Sequence, residues 1–194
     1  MEKPDITGVI LAGGRSSRMG QDKGLVKVNG QPLFEHIAAR LAPQVSHILI
    51  SANQNQHIYA ENYPVIGDVT SDYAGPLAGM LAALQASPSE WTAFVPCDVP
   101  AFPDNLLDRL WNEKGTAAIA YAEDEYRAHP TLCLLHRRVI TPLSDYLNAG
   151  ERKLMLFFEQ QLARKVRFEN SSAFANLNTP ENVSHWQQLT RGSK

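Results

Sequence analysis

Cysteine is scarce in this chain: Cys97 and Cys133 are the only two in 194 residues. They stand far apart and form no CxxC pair, which argues against a zinc knuckle or a disulfide framework and fits a reducing compartment. Long apolar runs are missing as well. No stretch approaches the roughly 18 residues needed to span a bilayer, and the charged start from Met1 to Asp5 leads into no secretory segment. The expectation is a soluble, cytoplasmic protein. An excess of positive charge is also absent, with 18 Lys and Arg against 20 Asp and Glu and a formal net charge of −2. That argues against a broad basic face for nucleic acid or membrane, yet a small anionic ligand needs only a local cluster of cations. None of the six histidines stands in an HxH or HExxH spacing, so no histidine metal site is expected. His129, beside an acidic turn, is the one to watch.

Apolar residues make up 44% of the chain and charged residues 20%, the composition of an ordinary globular domain. No repeat, low-complexity segment or Pro/Gly/Ser linker divides it, so a single domain over residues 1–194 is expected. Short apolar runs alternate with helical periods. Strands are expected at Thr7–Leu11, Ser46–Ser51, Val65–Ile66 and Trp91–Val95, the last stopped by Pro96. Leu33, Ile37 and Leu41 mark a helix opening at Pro32. Leu77, Met80, Leu81 and Leu84 mark a half-buried one, and Leu106, Leu107, Leu110 and Trp111 another. In the second half, strands at Ala117–Ala122 and Thr131–Leu135 flank Glu123-Asp124-Glu125. Helices at 138–149 and 154–161, a strand at Val166–Phe168 and a helix at 180–189 follow. Strand and helix in alternation predict an α/β fold: three layers, α/β/α, with a mostly parallel, Rossmann-like central sheet.

Ligands in such sheets bind beyond the carboxyl ends of the strands, so the residues after each strand matter most. After the first comes LAGGRSSRMGQDKG, residues 11–24. Glycines let main-chain N–H groups approach an anion, while Arg15, Arg18 and Lys23 supply positive charge. This is the composition of a polyphosphate cradle, but neither the Walker spacing nor GxGxxG is present. After the fourth strand comes Pro96-Cys97-Asp98-Val99-Pro100. One rigidly placed carboxylate suits Mg²⁺, which takes one or two carboxylates plus phosphate oxygens and waters; Asp98 can equally cap a turn. Cys97 reads as a packed residue rather than a nucleophile. Asp68, after the third strand, can meet a base edge or cap a turn. Gly75 and Gly79 bracket a helix start, where the choice is between a nucleotide and close helix packing. Arg152 and Lys153 suit either a solvated turn or a second anionic ligand. Asn176 and Asn178 precede a helix with Thr179 at its N-cap and Pro180 at its first position; two alternating asparagines can also grip a heterocycle.

These segments resemble the nucleotidyltransferases of glycosyltransferase-A-like fold. Within them, TGVILAGG, SRMGQDKGL, NGQPLFEH, AGPLAGM, PCDVP, HPT, AGERK and NLNTPE are most similar to the MobA family of molybdenum cofactor guanylyltransferases, over nearly the whole chain. The resemblance implies that Leu11, Ala12 and Gly13 touch GTP through the backbone, that Lys23 binds its phosphates and Asp68 the nucleotide, and that Asp98 meets both GTP and Mg²⁺. Gly14, Arg18, Gly20, Gly75 and Gly79 match further motif positions around the nucleotide. The family's asparagine after the second strand falls on Ser51 in the closest register, with Asn53 two residues on; Asn53 is taken as the candidate. Asn176 and Asn178 match asparagines on the molybdopterin side, with Arg152 and Lys153 as further candidates there. Residues 1–115 would form mainly the nucleotide half and 116–190 mainly the acceptor half.

The implied reaction transfers GMP from GTP to the terminal phosphate of molybdenum-molybdopterin and releases pyrophosphate. The nucleophile is already ionised, so catalysis must come from positioning and positive charge, with Lys23, Arg18 and Asp98 as its centre. Two other functions stay open: a cytidylyl- or sugar-phosphate nucleotidyltransferase of the same fold, and a GTP or cofactor carrier that forms no bond. A monomer is expected, with transient docking on molybdoenzymes or other cofactor-synthesis proteins, but no segment marks such a surface.

Overall fold

The computed structural model describes residues 2–12, 22–68 and 75–191. Its elements in chain order are β1 (Ile6–Leu11), β2 (Lys27–Val28), β3 (Gln31–Pro32), α1 (Leu33–Leu41), β4 (His47–Ser51), α2 (Gln56–Tyr59), β5 (Val65–Ile66), α3 (Pro76–Ala86), β6 (Trp91–Pro96), α4 (Leu106–Glu113), β7 (Ile119–Glu123), β8 (Ala128–His136), α5 (Ile140–Asn148), α6 (Leu154–Gln160), β9 (Arg164–Arg167) and α7 (Pro180–Arg191). Seven strands form one sheet in the order β5-β4-β1-β6-β8-β7-β9. Only β8 runs against its neighbours, so the sheet is mostly parallel.

The central strands β1 and β6 are buried at every position but the last, Thr7 and Thr92 included, because both faces of the sheet are covered. Successive side chains point to opposite faces. Ile6, Ile10, Trp91, Ala93, Val95, Ala120 and Leu134 meet α1, α2 and α4 on one face through Phe34, Ile37, Leu41, Tyr59, Leu106 and Leu110. Val9, Phe94, Ile119, Tyr121, Cys133 and Leu135 meet α3, α5 and α6 on the other through Leu77, Met80, Leu84, Leu143, Phe157 and Phe158. A satellite cluster of Val26, Val28, Leu33, Leu177 and Val183 joins the β2–β3 hairpin to α7. The three-layer α/β/α architecture expected from the sequence is the one observed.

Several details differ. Pro96 does not stop its strand; it is the last residue of β6, in register with Leu11. The β6–β8 ladder has already ended at Phe94 and Cys133, so the N–H that proline lacks is not needed on that side. The helix α3 is not half-buried: every residue from Leu77 to Leu84 is buried, because α3 is enclosed between the sheet and α5. The strand expected at Thr131–Leu135 is β8, which runs from Ala128 to His136. The β2–β3 hairpin and the single turn of α2 had no periodic signal to announce them.

A candidate nucleotide site at the carboxyl end of the sheet

The chain order of the strands reverses at β1, with β4 and β5 on one side and β6 on the other. A crevice outside the strand ends is expected at such a switch point, where Ala12 follows β1 and the Cys97-Asp98 turn follows β6. Main-chain bonds stitch these ends together: Ala12 N donates to Ser51 O at 2.9 Å, Ala52 N to Ile66 O at 3.0 Å and Cys97 N to Leu11 O at 3.2 Å. Leu177 N donates to Asp98 O at 2.7 Å, which holds the Asn176–Asn178 segment against the turn after β6.

Four predicted side chains converge there. Lys23 Nζ lies 3.3 Å from Asp98 Oδ2 and donates to Asn178 Oδ1 at 2.8 Å. Asn176 Nδ2 donates to the same Asp98 oxygen at 3.4 Å. The lysine and aspartate side chains are 25% and 15% exposed, open enough to exchange each other for a ligand. Among the described residues no donor reaches Asp98 Oδ1.

Asp22, read only as a motif neighbour of Lys23, anchors the lysine's backbone. Its Oδ1 accepts from Gly24 N at 3.1 Å and from Tyr59 Oη at 2.7 Å, and its Oδ2 accepts from Asn55 Nδ2 at 3.2 Å. Tyr59 is wholly buried. Burial and the Asp22 carboxylate push its phenol far above the ordinary range, so its proton stays in place as a donor. No residue pattern near position 59 signals this role. Burial, reinforced by Asp98 and Asp22, also pushes the Cys97 thiol up to about 12. It stays protonated, a packed residue and no nucleophile.

A second group forms over β4 and β5. Asn53 Oδ1 accepts from Asp68 N at 2.9 Å. Ser51 is buried at the end of β4. A Cβ on Gly79 would meet Ser51 Oγ at 2.8 Å and Asp68 Oδ1 at 3.2 Å, so glycine there lets α3 pack onto β4. Gly75, just before α3, has φ +66°, the left-handed region that a side chain makes costly. Arg152 donates from Nη1 to Leu147 O and Glu151 O, each at 2.7 Å, and so closes the end of α5. Lys153 is exposed at the residue before α6. Gly13, Gly14, Arg15, Arg18 and Gly20 lie outside the described residues. A separate cavity of about 770 Å³, lined by Lys114, Arg138 and Arg164 among others, opens at the other end of the sheet, away from these groups.

The chain is an α/β protein of the nucleotidyltransferase class, a three-layer fold that sets a lysine after β1 against a carboxylate after β6 at the carboxyl end of its sheet. Similarity to known proteins agrees with this and narrows it. The model of the MobA-like NTP transferase domain matches residues 8–165, and the chain belongs to that family. A molybdenum cofactor guanylyltransferase of Serratia proteamaculans is 54% identical over 187 residues, 95% of both chains. One of Yersinia pseudotuberculosis is 52% identical over 193 residues, 98% of this chain and 99% of the relative. In fold, the chain is similar to a molybdopterin-guanine dinucleotide biosynthesis protein A of Archaeoglobus fulgidus, with TM-score 0.77 and 19% identity over 96% of this chain and 99% of that one. It is also similar to a CMP:2-keto-3-deoxy-manno-octonic acid synthetase complexed with CTP, with TM-score 0.79 and 13% identity over 98% and 100%. Among the described residues no helix is long and apolar enough to cross a membrane.

Proposed function

We infer that the chain transfers GMP from GTP to the terminal phosphate of molybdenum-molybdopterin, in the cytoplasm, and releases pyrophosphate. The observation that carries this reading is the Lys23–Asp98–Asn178 contact at the switch point, in a chain more than half identical over nearly its whole length to relatives named for that activity. The nucleotide half, residues 1–115, would supply Leu11, Ala12, Lys23, Asn53, Asp68, Gly75, Gly79 and Asp98. The acceptor half would supply Asn176 and Asn178, with Arg152 and Lys153 as further candidates for the acceptor.

In this mechanism an acceptor phosphate oxygen attacks the α-phosphorus of GTP. The bond from that phosphorus to the bridging oxygen breaks, and its electron pair leaves on pyrophosphate. No proton has to be removed first, so no general base is required. The barrier is the approach of one anion to another. Lys23, with Arg18 five residues earlier in the chain, would neutralise the triphosphate and the leaving group. In the free protein Lys23 and Asp98 neutralise each other, and a ligand would separate them: the lysine to phosphate, the carboxylate to a cation. Asp98 fits Mg²⁺, since one carboxylate oxygen has no donor among the described residues and the site otherwise offers amides rather than soft ligands. When bound, that ion would supply positive charge next to the reacting phosphate.

The test is nucleotide choice with acceptor present. GTP should be consumed, one pyrophosphate released per GMP joined, and CTP should be a poor substitute. A preference for CTP, or GTP bound without turnover, would overturn the assignment.

A further inference from the structure

The tip of the β7–β8 hairpin carries a cation that the mechanism above does not use. Arg127 donates from Nη2 to Asn176 Oδ1 at 3.3 Å, and Asn176 donates in turn to Asp98 Oδ2. A single asparagine separates this guanidinium from the central carboxylate. Arg127 is exposed, and among the described residues no carboxylate lies within ion-pair distance of it.

Its position is fixed from two sides. Asp124 Oδ1 accepts from Tyr126 N at 2.7 Å and from Arg127 N at 2.9 Å, which sets the backbone of the turn. Asp124 Oδ2 accepts from His129 Nε2 at 2.8 Å, and both residues are buried. The His129 ring stacks on Phe174 at 4.5 Å and 13°, and Phe174 meets Phe168 edge-on at 5.5 Å. Phe174 is two residues before Asn176. One stack therefore ties the hairpin that bears Arg127 to the segment that bears Asn176 and Asn178.

We propose that Arg127 grips the acceptor's phosphate during nucleotidyl transfer; this rests on the function inferred above. In-line displacement puts the attacking and leaving groups on opposite sides of the α-phosphorus. Along the sheet, Lys23 follows β1, Asp98 follows β6 and Arg127 lies at the tip joining β7 to β8, beyond β6. The cation of the leaving-group side and the cation of the hairpin thus flank Asp98. A planar guanidinium with free N–H donors matches a phosphate by paired hydrogen bonds. Arg127 exchanges no proton in this role; it reduces the repulsion between two polyanions. Asp124 and His129 are positioning residues behind it.

Binding is measured apart from turnover, by titrating wild type, Arg127→Ala and Arg127→Lys with molybdopterin carrying molybdenum, with the same acceptor lacking its phosphate, and with GTP. Arg127→Ala should weaken the phosphorylated acceptor about 10- to 100-fold, leave the dephosphorylated one unchanged and alter GTP less than twofold. Arg127→Lys should recover part of the loss, because it restores charge without the paired donors. An acceptor affinity that does not depend on residue 127, an equal loss for both acceptors, or a loss confined to GTP would each overturn the proposal. Wild-type GMP transfer is followed in parallel. An acceptor bound through Arg127 but never guanylylated would sink the functional assignment and leave this one standing.

Discussion

Asp98 holds its place through main-chain bonds and its chemistry through charge. Leu177 N anchors its carbonyl, so the carboxylate can change without loss of the turn. Asp98→Asn should fold with a thermal midpoint close to wild type and lose about 100-fold or more in turnover, which corresponds to about 2.7 kcal/mol or more of barrier. Near-normal pyrophosphate release by a well-folded variant would remove Asp98 from the mechanism. Lys23→Ala differs because the lysine would meet substrate and leaving group alike: GTP affinity and turnover should fall together, as titration and initial rates would show. Both residues were legible as candidates in the sequence, since a lysine closing a glycine-rich, basic stretch and a carboxylate between two prolines point to such chemistry by their identity, and the structure brings the two into contact. Tyr59 and Arg127 were not. Tyr59 matters only because α2 brings it to Asp22, and Arg127 only because a hairpin tip meets a segment 49 positions later in the chain.

Helix α3 shows why a motif glycine stays ambiguous until its neighbours are known. On an exposed helix, alanine in place of glycine gains about 1 kcal/mol. At Gly79 the added methyl would lie 2.8 Å from the buried Ser51 hydroxyl and 3.2 Å from Asp68. Gly79→Ala should therefore destabilise the protein by about 1–3 kcal/mol and weaken GTP binding by displacing the Asp68 segment. Removing the hydroxyl should relieve the tighter contact, so Ser51→Ala with Gly79→Ala should be more stable than Gly79→Ala alone. Urea midpoints of the four proteins measure the coupling; strictly additive effects would show that α3 does not press on β4 through this pair. The period of Leu77, Met80, Leu81 and Leu84 made the helix legible but not its depth. Ala78, Gly79, Ala82 and Ala83 are small enough to pack on any side, and only the position of α5 shows that they are covered. The two-residue strands β2 and β3 were too short to leave a period at all.

At the scale of the molecule, each face of the sheet draws on both ends of the chain. Ile6 and Phe34 share a cluster with Val166, Phe168 and Phe174, and Val9 and Leu77 share one with Phe157 and Phe158. Order at the site is therefore coupled to distant packing, and the joint between the hairpin and the segment ahead of α7 can be tested by pH. Burial alone would raise the Asp124 carboxyl; the hydrogen bond from His129 and the N–H groups of Arg127 and Tyr126 outweigh it and hold the group below its ordinary value. A carboxyl lowered by folding stabilises the native state fully above its unfolded value, near about 3.9, and loses that contribution as pH falls toward the folded value. Asp124→Asn can still accept the two backbone bonds but lacks the charge. At pH 7 wild type should exceed it by about 1–2 kcal/mol. The gap should hold down to about pH 4 and close below that, because the protonated aspartic acid then resembles the amide. Urea unfolding of both proteins at pH 7, 5, 4 and 3 traces the gap. A gap that stays constant to pH 3 would mean that the charge on Asp124 is not what joins the hairpin to the rest of the site.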